Sequence, residues 1–123
     1  VPGQVKYNAT RRLVLRGVDG IVFVADAMAV RREKNILSLK NLQENLATYK
    51  KSVFKTPLVL QYNKVDLAEQ GIPLLSYESM EKDLNQKLKT AAFNASALVG
   101  TNVVPTMKKI ISMTMASIIK ELK

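Results

Sequence analysis

The sequence predicts an α/β fold in three layers, a mostly parallel sheet covered by helices, and three observations carry that prediction. Residues 21–25 (Ile-Val-Phe-Val-Ala) form a continuous apolar run, of the kind that marks strands buried on both faces of a parallel sheet. Residues 58–62 (Leu-Val-Leu-Gln-Tyr) form a second buried strand, and it too ends abruptly in polar residues. Between and after these runs the apolar period changes to that of a helix. Alternation of this kind calls for right-handed crossovers between parallel strands.

Taken in order, Val1-Pro2-Gly3-Gln4 leads into a short mixed helix over residues 5–16, closed by Gly17. Val18-Asp19-Gly20 turns into the first strand, and Asp26 stands at its end. Leu39, Leu42, Leu46 and Tyr49 make one apolar stripe of a helix over 32–49, with Lys40, Gln43, Glu44 and Lys50 mainly on the other side. Pro57 opens the second strand. Gly71-Ile72-Pro73 is a turn, and Ser76 is the candidate N-cap of a helix over 77–88. Residues 91–95 read as a short third strand, separated by Gly100 and Asn102 from a last helix. That helix carries Met107, Ile110, Ile111, Met115, Ile118, Ile119 and Leu122 on one face, which the sequence assigns to core packing.

The composition narrows the chemistry. A chain of 123 residues, 47% of them hydrophobic, is enough for one domain with a modest core. Without Cys or His it has no disulfide framework, no thiolate zinc site and no imidazole base. No apolar run approaches the roughly 20 residues that span a bilayer, and a reducing cytoplasmic setting is the default. The formal charge of +9, from 19 Lys+Arg against 10 Asp+Glu, raises a third reading, a basic nucleic-acid-binding domain. The basic residues are dispersed, however, and the sparse aromatics are not interleaved with them, so direct nucleic-acid binding is disfavoured.

The second strand ends in Asn63-Lys64-Val65-Asp66, and this is where the sequence points to a ligand. Guanine presents two adjacent donors, N1–H and the exocyclic amino group, that one carboxylate such as Asp66 accepts together. Adenine has an unprotonated N1 there, and a buried carboxylate left facing an acceptor is costly. The alkyl stem of Lys64 can lie across the base plane, while the Asn63 amide ties the base edge to neighbouring loops. Three fixed positions would match by chance about one or two times in a hundred in a chain of this length. A buried strand directly before them lowers that further, because open α/β sheets bind ligands at the carboxyl ends of their strands. The loop after the third strand, Ser96-Ala97-Leu98, should lie beside it, with the backbone N–H of Ala97 as candidate donor to guanine O6.

The order Pro-Gly-Gln, Asn-Lys-x-Asp, Ser-Ala-x resembles the second half of a Ras-like small GTPase, a partial P-loop NTPase fold. The wording of residues 1–4, 12–20, 22–26 and 61–64 is more similar to one group, the bacterial gliding-motility GTPases of the MglA group. That resemblance implies a GTP-binding and GTP-hydrolysing molecular switch, controlling cell polarity or gliding motility, cytoplasmic and recruited to the cell pole. It implies that Gly3 gives a backbone N–H to the γ-phosphate and that Gln4 is the catalytic residue that orients the attacking water. Asn63, Lys64, Asp66, Ser96, Ala97 and Leu98 would then hold the nucleotide, Leu98 as apolar cover of the base. GTP or GDP with Mg²⁺ is the implied cofactor, and polarity or motility effectors are implied partners. A regulator with a Roadblock fold is a further implied partner, with Tyr7, Arg11, Arg12 and Arg16 as candidates for contacting it.

The sequence departs from that pattern in one respect. It contains no Gly-x-x-x-x-Gly-Lys-Ser/Thr phosphate loop, no first switch segment and no magnesium ligand of the kind the family uses. Residues 1–123 are therefore expected to be the C-terminal portion of a single small-GTPase domain, keeping the base site without the phosphate site. The alternative is a catalytically inert pseudo-GTPase binding module, which a natural absence of the phosphate loop would favour.

Overall fold

The computed structural model describes residues 17–64, 70–96 and 100–122. Three parallel strands, β1 (Ile21–Asp26), β2 (Leu58–Asn63) and β3 (Ala92–Asn94), lie side by side in the order β1-β2-β3. The register sets Ile21 opposite Leu58, Asp26 opposite Asn63 and Tyr62 opposite Asn94, so all three strands end at one rim. Helix α1 (Arg32–Thr48) follows β1 after one 3-10 turn, α2 (Tyr77–Met80) follows β2, and α3 (Val103–Leu122) follows β3. The α/β alternation with a parallel sheet is thus as expected. The expected helix over 5–16 falls on residues outside those described.

The alternation of β2 side chains divides the helices between two faces. Leu58, Leu60 and Tyr62 share a core with Leu39 and Leu46 of α1, Met80 of α2, and Leu84. On the opposite face Gln61 reaches α3, its amide donating to the Thr106 hydroxyl at 3.0 Å. The Thr106 hydroxyl in turn donates to the Asn102 carbonyl at 2.6 Å, so this buried polar pair is satisfied. All of Leu58 to Tyr62 is buried, which makes β2 the central strand that its apolar sequence requires.

Several boundaries and one burial assignment differ from expectation. The helix expected over 77–88 is α-helical only through Tyr77–Met80, with Ser76 capping it by accepting from the Ser79 N–H at 3.1 Å. Residues Glu81–Asn85 then widen into a π turn. Asn85 is the reason we assign: its buried amide bonds Glu81, and both ends of it bond the Thr90 backbone, holding the chain wide there. β3 is shorter than 91–95, because only Ala92–Asn94 pair with β2.

The two apolar surfaces read as core are also less covered than expected. In β1 only Ala25 is fully buried and Val24 is 53% exposed, since β1 is an edge strand among the described residues. In α3 Ile110 is buried, but Met107, Ile111, Met115, Ile119 and Leu122 are exposed. The helix touches the sheet along a narrower line than its apolar stripe. That line begins at Gly20, where an added Cβ would fall 2.0 Å from the Thr114 hydroxyl. Only a glycine there lets α3 approach the start of β1 this closely.

Tyr62 gives the fold a pH signature. It is wholly buried, and its hydroxyl donates to Glu81 Oε1 at 2.7 Å. Burial, reinforced by the Glu81 hydrogen bond and charge, raises its pKa far above the usual tyrosine value. The folded chain therefore holds this proton where the unfolded chain releases it. The associated stability is complete below about pH 10 and declines as the pH climbs above the unfolded tyrosine value. Urea denaturation between pH 9 and 11 should show this fall, and Tyr62→Phe should flatten it relative to the parent. Equal slopes for the two proteins would refute the assignment.

Candidate functional site

The carboxyl ends of β1, β2 and β3 build one rim. β1 ends in Asp26, and the Ala27 N–H after it donates to the Asn63 carbonyl at 2.9 Å, continuing the ladder past the strands. On the other side the Ala95 N–H donates to the Tyr62 carbonyl at 2.7 Å. These bonds place Asn63, Lys64 and Ser96 together on adjacent strand ends.

Each end is then held by a local device. At Lys64 the chain leaves β2 in the left-handed region, with φ of 73°. Only about a few per cent of non-glycine residues adopt this conformation, and it costs roughly 1–2 kcal/mol. The Lys64 ammonium meets Asp26 Oδ2 at 2.8 Å. The other carboxylate oxygen of Asp26 accepts the Met28 N–H at 3.0 Å. Asn35, buried on α1, closes a two-bond clamp on the Asp26 backbone: its Oδ1 accepts from the N–H at 3.1 Å and its Nδ2 donates to the carbonyl at 2.8 Å.

Ser96 is 1% exposed, and its N–H donates to the Thr101 carbonyl at 3.1 Å, which draws the chain back on itself. Gly100, at φ of 79°, supplies the left-handed turn this return needs. The Asn102 amide then fastens the return to the end of β3 by donating to the Asn94 carbonyl at 2.6 Å. A similar pair of contacts ties the segment before α2 to the rim: Ala29 N–H donates to the Pro73 carbonyl and Leu75 N–H to that of Ala27.

Of the residues singled out in the sequence, Asn63, Lys64 and Ser96 are therefore brought to one rim. Gly3, Gln4, Asp66, Ala97 and Leu98 lie outside the described residues. Sequence reasoning noted Asp26 at a strand end without giving it a role, and passed over Asn35. Both left a signal. Asp26 is an acid at the carboxyl end of a parallel strand, where ligands bind. Asn35 is four residues before Leu39, a polar side chain in line with the apolar stripe of α1.

At the rim a fixed cation on a half-exposed stem, Lys64, stands next to Asn63, with the buried Ser96 just past the end of the neighbouring strand. Among the described residues no group of three or more His, Cys, Asp and Glu is placed to hold a metal ion. No described helix is long and apolar enough to cross a membrane.

Comparison with known proteins bears on the family of the chain. The family model of the Ras family matches residues 1–116. The mutual gliding-motility protein MglA of Myxococcus xanthus (strain DK1622) is 42% identical over 120 residues. That match covers 98% of this chain and 59% of the length of the Myxococcus protein.

Proposed function

The chain belongs to the Ras family, and from that premise we propose that it is the base-recognition portion of a GTP-binding, GTP-hydrolysing switch. In this reading residues 1–123 are the C-terminal part of one small-GTPase domain, consistent with a chain that spans 59% of its relative's length. The observation that carries the reading is the convergence of Asn63, Lys64 and Ser96 on the carboxyl rim of parallel strands. Asn63, Lys64 and Asp66 would hold guanine from β2, with Ser96, Ala97 and Leu98 closing on it from β3. Gly3 would donate its N–H to the γ-phosphate and Gln4 would orient water. Mg²⁺, when bound with the nucleotide, would neutralise charge on the phosphates.

The relative's name extends the proposal to the cell. A switch of this kind would act in gliding motility or polarity, in the cytoplasm and at the pole. Its partners would be polarity or motility effectors and a Roadblock-fold regulator meeting Tyr7, Arg11, Arg12 and Arg16. GTP would hold the segment after Gly3 in a partner-binding state that hydrolysis releases.

Competition for a fluorescent GDP analogue tests the ligand. In the complete protein GTP should displace it at a concentration at least about a hundredfold below that of ATP. Equal displacement by the two would overturn the reading. The 123-residue chain on its own should bind GTP only weakly in calorimetry, because phosphates and Mg²⁺ supply most of the affinity in this architecture.

A further inference from the structure

We propose that Asp26 is a positioning residue for the nucleotide base, anchoring the Lys64 ammonium so that the lysine stem forms a fixed wall of the base slot. The inference rests on the guanine reading above and adds to it a residue outside the Asn-Lys-x-Asp stretch.

Three features of the structure lead to it. First, Lys64 holds a left-handed backbone, and strain of this kind in a non-glycine residue persists only where its surroundings over-determine it. Second, the Lys64 side chain is held as well, by a charge-assisted bond from Nζ to Asp26 Oδ2 at 2.8 Å, between residues 38 positions apart. Third, Asp26 is itself immobilised before it meets the lysine. Its backbone is gripped at both polar groups by the buried Asn35, and its Oδ1 is occupied by the Met28 N–H.

A flexible lysine tethered to a mobile carboxylate would contribute little at a half-exposed site, because two side chains would have to be ordered at once. Here one partner is already ordered by the fold, so only the lysine gives up freedom. A stem held before the ligand arrives leaves less ordering to be done on binding, which is how preorganisation raises affinity. The pair also draws the ammonium to the β1 side of the rim, away from β3.

Asp26→Asn separates this role from a structural one. The amide oxygen can still accept the Met28 N–H, whereas the Oδ2 position becomes a donor that repels the lysine. In the complete protein, release of a fluorescent GDP analogue should speed up about three- to tenfold, with the urea midpoint little changed. Lys64→Met, which keeps a stem but removes the charge, should also speed release. The double variant should be no faster than Lys64→Met alone, since Asp26 acts through Lys64. Unchanged release from Asp26→Asn, or effects that multiply in the double variant, would overturn the proposal. Loss of GTP over ATP preference in the parent would instead remove the guanine reading on which it rests. If Asp26→Asn fails to fold, Lys64→Met and Lys64→Met with Asp26→Glu carry the same comparison. A change at Asp26 that still alters release when Lys64 is absent would overturn it.

Discussion

Asp66→Asn in the complete protein should lower GTP affinity by about a hundredfold or more and raise affinity for xanthine nucleotides. The carboxylate proposed to face N1–H and the exocyclic amino group accepts both, and an amide accepts one while presenting a donor to the other. A buried donor facing a donor forfeits a hydrogen bond and leaves both groups desolvated, at about 1–3 kcal/mol for each group. Xanthine carries a carbonyl at that position, so the same amide donor becomes complementary. A site built on hydrogen bonds discriminates strongly for this reason, more strongly than one built on shape. The position of Asp66, two residues after Lys64, follows from the sequence, and Lys64 stands on the rim that the strands share. Titrating GTP and xanthosine triphosphate against parent and variant checks the exchange. A variant that keeps its GTP affinity, or gains nothing for xanthosine triphosphate, would contradict the assignment of Asp66.

Gln4→Leu should slow GTP turnover by about a hundredfold while leaving nucleotide affinity within about twofold. In phosphoryl transfer there is little covalent chemistry for the protein to perform, so the placement of the water carries much of the rate. Leucine matches glutamine in size and has no group to hold water. A residue that acts only on the reacting water lowers the rate without touching ground-state binding, and the two parameters separate. Single-turnover hydrolysis measured beside equilibrium binding, with and without a stimulating regulator, distinguishes these. Equal loss of binding and rate would make Gln4 a binding residue, and an unchanged rate would remove it from catalysis.

The alternation of strand and helix was legible because it is written in local periodicity. The run at 21–25 and the run at 58–62 became β1 and β2, and the stripe of Leu39, Leu42 and Leu46 became the buried face of α1. Asn63, Lys64 and Ser96 could be placed on one rim from the sequence, because parallel strands joined by right-handed crossovers must end on the same side. Burial was less legible. The apolar stripe of α3 looks the same in sequence whether or not another element covers it, and here Met107, Ile111, Met115 and Ile119 are left exposed. The same holds for Val24 of β1, whose exposure follows from its place at an edge.

What the tertiary structure alone decided are the bonds between distant polar residues. Gln61 and Tyr62 are neighbours in sequence, yet pleating sends one to Thr106 of α3 and the other to Glu81 beyond α2. Those bonds pin both helical layers to the strand that ends in Asn63. The widening at Glu81–Asn85 could not be read from a helical pattern, since it depends on Asn85 bonding Thr90 across the turn. The pairing of Asp26 with Lys64 was equally hidden, because any of the 10 acidic residues could meet any of the 19 basic ones until the register set Asp26 beside Asn63. Periodicity is a property of a segment and survives in the sequence. Which two charges meet is a property of the packed sheet, where bringing distant residues together is opposed by chain entropy and favoured only by the whole core at once.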